Sequence, residues 1–108
     1  RRYPAALLRD AQMRLLLIFV DSDHAEDVER ILDEHGVQGY SQFPHVLGKG
    51  QTGRKLGTRA FPGSSTLYFV AIGDNDCETL CTEFKTLQQQ AGPEEGLRAY
   101  TLETMEVL

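Results

Sequence analysis

A continuous apolar run at residues 14–20 (RLLLIFV) constrains this chain more than anything else in it. It falls far short of the roughly 20 apolar residues that cross a bilayer, and it lacks the polar alternation of a half-exposed strand. It therefore predicts a strand in the middle of a sheet. Asp21-Ser22-Asp23 breaks the run. Asp23 and Glu26 have the spacing of a capping box, and Ala25, Val28, Ile31, Leu32 and His35 share one helical face until Gly36 stops the helix. Residues 37–46 alternate as a second strand, where Pro44 marks an edge position or a bulge. Residues 64–72 (SSTLYFVAI) form a strongly β-prone third strand. Asn75 and Glu78 repeat the capping-box spacing ahead of a helix reaching Gln90, residues 91–96 (AGPEEG) turn, and residues 97–108 supply a fourth strand. The order βαββαβ predicts a ferredoxin-like α+β fold: two right-handed βαβ units on a four-stranded antiparallel sheet with two helices on one face.

At 108 residues the chain has room for one two-layer core. Its apolar fraction of 41% with 25% charged residues excludes a disordered chain and a membrane-spanning one. Residues 1–12 read as an N-terminal extension ahead of Met13, leaving residues 13–108 as the folded domain; the absence of a secretory apolar stretch points to the cytoplasm. Cys77 and Cys81 lie one helical turn apart beside Leu80, Phe84 and Leu87, the spacing of a buried stripe. Two thiols without a histidine close in sequence are not a zinc site by themselves.

The charge is distributed unevenly. Sixteen residues are Asp or Glu, yet none lies between Glu34 and Asp74, a span that holds eight of the ten glycines. Within it, Lys49, Arg54, Lys55 and Arg59 make a local +4 in a protein of net charge −5. Residues 47–63, joining the second and third strands, are longer than a hairpin connection needs, and loops of that length are commonly functional. Glycine backbone can turn its N–H groups toward a ligand while the cations supply charge, so the fitting partner is a small anion. The alternative is a solvated connector. Residues 48–53 satisfy G-x-G-x-x-G and residues 48–55 nearly match a P-loop, but no helix follows Gly53 to receive a phosphate, and both readings fail for that reason.

In this frame the chain resembles the PII signal-transduction superfamily. The resemblance runs from Met13 to Leu108. It is carried by strand 14–20, the Val37-Gln38-Gly39-Tyr40 lead-in to strand two, the loop base Val46-Leu47-Gly48-Lys49-Gly50-Gln51, and the start of strand four at Gly96-Leu97-Arg98-Ala99-Tyr100. It implies a homotrimer with effector clefts between neighbouring subunits, and as ligand an adenine nucleotide such as AMP, ADP, ATP or a cyclic nucleotide. The residues it implicates are Gly48, Lys49, Gly50, Gln51, Thr52, Gly53, Arg54, Lys55 and Arg59 on one side and Gly96 and Arg98 on the other. It also implies a partner protein read through the loop, in this superfamily often a membrane transporter. The loop carries no tyrosine for uridylylation, which sets the chain among short-looped PII-like proteins.

Of the histidines, His24 and His35 belong on the surface of the first helix, whereas His45, beside the loop base, is the candidate metal ligand or pH-sensitive contact. A metal-binding trimer of the divalent-cation tolerance type, with His45 and an acidic residue from a neighbouring subunit, is the second functional reading. RNA binding is the third, and the acidic total and the missing aromatic signature on strand three argue against nucleic acid. No H-E-x-x-H, catalytic carboxylate pair or nucleophile–histidine pairing is present in the pattern, so neither an enzyme nor a required cofactor is expected.

Overall fold

The computed structural model describes residues 12–50, 53–55, 63–92 and 96–108. The expected extension at residues 1–12 thus lies almost entirely outside the described residues. The elements are β1 (Gln12–Asp21), a 3-10 turn (Ser22–His24), α1 (Ala25–Glu34), β2 (Ser41–Val46), β3 (Gly48–Gly50), β4 (Gly53–Lys55), β5 (Ser65–Ile72), α2 (Asp74–Ala91) and β6 (Arg98–Met105). The main sheet has the order β2-β5-β1-β6, and every pairing in it is antiparallel. This is the predicted fold class, with a small β3–β4 sheet added between the second and third main strands.

β1 lies between β5 and β6, and its continuous apolar run serves both faces of the sheet. Leu16, Ile18 and Val20 are essentially inaccessible and pack with Tyr68 and Val70 of β5 beneath the helices. The alternate residues Leu15, Leu17 and Phe19 point to the other face. α1 contributes Val28, Ile31 and Leu32 to the core; α2 contributes Leu80 and Phe84, and Leu97 closes the cluster ahead of β6. Gly36, at φ 69°, ends α1 in a Schellman motif: its N–H bonds the Asp33 carbonyl at 3.1 Å and the Val37 N–H bonds that of Leu32 at 3.0 Å.

Neither capping box forms. The chain leaves β1 through the 3-10 turn, whose cap is Asp21, with its carboxylate accepting from the Asp23 N–H at 3.1 Å. Asp23 is therefore spent inside the turn. Long-range contacts hold that turn: the Ser22 N–H bonds the Ser64 carbonyl at 3.0 Å, and the Ser22 hydroxyl lies 3.0 Å from those of Ser64 and Thr66. α2 starts one residue before Asn75, with extended Gly73 as its cap. Asp74 instead pairs with Arg14 across the sheet, Nε to Oδ1 at 3.2 Å.

The second strand is shorter than expected, because residues 37–40 are not in the ladder. It is an edge strand, and its register slips between Phe43 and Val46, so that Pro44 and His45 together oppose Thr66. That bulge spares proline a ladder hydrogen bond it cannot donate. A polar link ties this edge to α1: the Tyr68 hydroxyl donates to Glu29 Oε2 at 2.5 Å and accepts from Gln42 Nε2 at 3.1 Å, while Tyr40 meets the Tyr68 ring edge-on at 5.6 Å. Burial, followed by the Glu29 carboxylate, raises the hydroxyl pKa of Tyr68 far above its ordinary value.

Candidate effector-binding site

The cationic segment has more structure than its sequence suggests. Gly48, Lys49 and Gly50 pair in antiparallel register with Lys55, Arg54 and Gly53 respectively, so the segment folds into a narrow hairpin set apart from the main sheet. Gly50 and Gly53 face one another and leave two residues for the connection, the length favoured in tight hairpins. The sequence expectation of a long loop missed this, because the three-residue strands are glycine-rich and carry no apolar alternation. Of the predicted effector residues, six are thus brought together here: Gly48, Lys49, Gly50, Gly53, Arg54 and Lys55. Gln51, Thr52 and Arg59 lie outside the described residues.

The register places Lys49 opposite Arg54. The hairpin begins beside His45, which takes a positive φ of 60° within the β2 bulge and is exposed. That conformation is uncommon for a residue other than glycine and is held by the bulge. Among the described residues no group of three His, Cys, Asp or Glu side chains is placed to hold a metal, so His45 has no ligand set within its own described chain.

The other predicted half, Gly96 and Arg98, sits at the opposite edge of the sheet. Gly92 (φ 89°) and Gly96 (φ 72°) both adopt the left-handed region that side chains disfavour; Gly92 ends α2, and Gly96 leads into Leu97 in the core and Arg98 at the start of β6. The Leu97 carbonyl is held twice, by Gln88 Nε2 and by Arg98 Nη1, each at 2.8 Å. Gln88 looks from sequence like part of a polar helix end, yet it locks the turn against α2. Phe84, Lys85, Gln88, Leu97, Arg98 and Ala99 line a cleft of about 210 Å³ together with Cys81. That is below the roughly 300 to 1,000 Å³ of ordinary ligand pockets.

Register fixes how the two halves relate. Val46 pairs with Ser65, Asp21 also pairs with Ser65, and Phe19 pairs with Arg98, so the loop base and the glycine turn lie at the same end of the sheet. They occupy its two opposite edges, β2 and β6. Three strand spacings of about 4.8 Å separate them by roughly 14 Å.

The face of the sheet away from the helices is apolar and open. Phe43 is 50% exposed, Phe69 38%, Tyr100 56% and Leu102 52%, and the strand registers align them with Leu15, Leu17, Phe19 and Leu67. Phe19 and Tyr100 already meet edge-on at 6.2 Å.

No family model and no curated protein matches the chain in sequence. Solved structures match it clearly. A nitrogen regulatory PII-like protein, CPII of Thiomonas intermedia, solved with ADP, AMP and bicarbonate, is 19% identical over 86% of this chain and 94% of its own, with a TM-score of 0.66. A PII-like signaling protein of Thermus thermophilus is 15% identical over 90% of this chain and 91% of its own, TM-score 0.66. The GlnK–ATP complex of B. subtilis is 14% identical over 86% and 82%, TM-score 0.60. At these identities the likeness is one of fold alone: this chain shares the fold of these PII-like proteins.

Proposed function

We propose that this chain is a PII-like regulatory protein, a homotrimer that takes an adenine nucleotide at clefts between neighbouring subunits and presents residues 47–63 to a partner protein. The observation that carries this reading is the placement of the cationic hairpin and the glycine turn at one end of the sheet but on opposite edges. A ligand meets both only when the β2 side of one copy lies beside the β6 side of another, as in a closed rotational assembly. The open apolar face gives such an assembly something to bury. The ADP, AMP and bicarbonate of the CPII structure and the ATP of the GlnK complex support an adenine nucleotide as the ligand class on this fold.

The chemistry proposed is recognition without bond-making, with no resident cofactor. Phosphate neutralises the cationic positions 49, 54 and 55, fixing one hairpin geometry that a partner reads. The ligand shifts the hairpin only as far as its differential affinity for the two geometries. In this superfamily the partner is often a membrane transporter, and that is the class to test first.

Calorimetry of the purified protein against AMP, ADP, ATP, cyclic AMP, bicarbonate and divalent metals, with mass by light scattering, tests the reading. Saturable binding of an adenine nucleotide by a particle of three-chain mass is expected. A monomer at micromolar concentration removes the shared cleft. Divalent-metal binding without any nucleotide binding replaces this reading with the cation-tolerance one.

A further inference from the structure

Cys77 and Cys81 form a pair on α2 that borders, through Cys81, the cleft at Arg98. They lie on successive turns of α2 with their sulfurs 4.0 Å apart. Cys77 is only 2% exposed, yet it lies outside the contiguous apolar cluster that makes the core. Both line a polar cleft where α2 crosses the sheet, together with Arg14 of β1, Thr101 of β6 and the α2 residues Asp74, Glu78, Thr82 and Lys85. Packing explains part of this position. It does not explain why two thiols at contact distance face a polar cleft that carries both cations and carboxylates.

The helix forbids one outcome and suits another. Helical positions four apart hold their β-carbons about 5 to 6 Å from each other, whereas a disulfide needs roughly 3.5 to 4.5 Å. Direct sulfur–sulfur bonding would bend α2. A single bridging atom asks for far less movement: with metal–sulfur bonds of roughly 2.3 Å, a separation of 4.0 Å corresponds to an S–M–S angle of about 120°, which small χ1 rotations of the two cysteines adjust to the angle the bound ion prefers. No third histidine, cysteine or carboxylate joins the pair as a metal-holding group among the described residues. The pair therefore selects an ion satisfied by few, soft ligands over zinc held in a closed four-ligand site.

We infer that Cys77 and Cys81 form a bidentate dithiolate site for a soft, thiophilic metal or metalloid ion, reached through the cleft bearing Arg14 and Lys85. Each thiol gives up its proton as its sulfur bonds the ion. With a trivalent arsenical such as phenylarsine oxide, two As–S bonds replace the bonds from arsenic to oxygen, the oxygen leaves as water with both protons, and no oxidant or reductant is needed. The ammonium of Lys85, with the guanidinium of Arg14 that already pairs with Asp74, faces the negative charge that the two thiolates bring into the cleft. Cys81 also lines the cleft beside Gln88 and Arg98, so an occupied pair alters one wall of the half-site there.

The test uses the full-length reduced protein and phenylarsine oxide. One equivalent per chain should block both thiols, survive a wash with excess 2-mercaptoethanol and come off with 2,3-dimercaptopropanol. It should also raise the unfolding temperature, since the folded helix presents the pair preformed. Cys77→Ala and Cys81→Ala should each weaken retention at least a hundredfold, the order of gain that two-point attachment gives over one. Because Cys77→Ala can disturb packing, the half-buried Cys81→Ala variant, checked for an unchanged unfolding transition, decides the matter alone. Removal by the monothiol, unchanged retention in Cys81→Ala, or a lowered unfolding temperature overturns the inference.

Discussion

The two faces of the sheet are built from the same strands and are about equally apolar, yet their fates differ. On one face Leu16, Ile18, Val20, Tyr68 and Val70 are covered by α1 and α2 to 1% exposure or less. On the other Phe43, Phe69, Tyr100 and Leu102 remain about half exposed. The chain has only two helices among the described residues, and both lie on the first face. Side-chain alternation along a strand makes two surfaces, and a two-layer domain can bury one of them. The second is left for something outside the chain, which in the reading advanced above is two further copies of itself.

The contrast is open to direct attack. The largest expected effect is on the covered face: Leu32→Ala, fully buried in the wild type, should lower the unfolding free energy by about 2 to 5 kcal/mol in a denaturant titration. A loss under about 1 kcal/mol would mean that the helix-side core is loosely packed. On the open face, Tyr100→Asp should leave a folded chain whose mass by light scattering falls to that of a monomer. Its apparent stability should drop by about 2 kcal/mol or more, because an aromatic anchor is gone from a subunit contact. An unchanged trimer would show that this face is not what holds copies together.

A smaller, pH-dependent effect belongs to Cys77. Burial, then the adjacent Cys81, pushes its thiol from 9.0 up to about 11. A folded-state pKa above the unfolded one contributes stability that is complete below about pH 9 and declines as pH rises from there through about 11. Unfolding free energies across that window should fall by about 1 to 2 kcal/mol more in the wild type than in Cys77→Ala. Equal slopes would place the thiol in contact with water. The smallest effect on stability is expected in the hairpin, which neither face supports. Arg54→Ala and Lys55→Ala should each change the unfolding free energy by no more than about 0.5 kcal/mol. The same substitutions should weaken nucleotide binding by about 1 to 3 kcal/mol, as charge-assisted hydrogen bonds are lost. If calorimetry shows nucleotide affinity unmoved in both variants, the hairpin serves the partner protein and not the small ligand.

Much of this was readable before any coordinates. Residues 14–20 announce a central strand because no polar residue interrupts them after Arg14, and Val28, Ile31 and Leu32 announce the buried face of α1 because their spacing matches the helical period. Pro44 announces the edge position and bulge of β2 because it cannot donate to a ladder. Of the candidate site, the cationic, glycine-rich stretch was visible in composition, while Gly96 and Arg98 entered only through the family resemblance. The hairpin was not, since Gly48–Gly50 and Gly53–Lys55 carry no hydrophobic pattern and are defined by pairing with each other.

The sequence by itself determined the order of the main-sheet strands and the two α-helices, the apolar helix faces and the location of the most strongly cationic stretch, since each depends on local period or composition. Tertiary structure alone decided the helix starts, where Ser22 bound to Ser64 and Arg14 paired with Asp74 override the local capping signals. It also decided that the two halves of the candidate site face apart on opposite edges of one sheet, and that Gln88 secures the turn before β6. Each of these rests on partners distant in the chain or on strand order, and a hydrogen bond or a sheet edge of that kind leaves no periodic trace in the residues that make it.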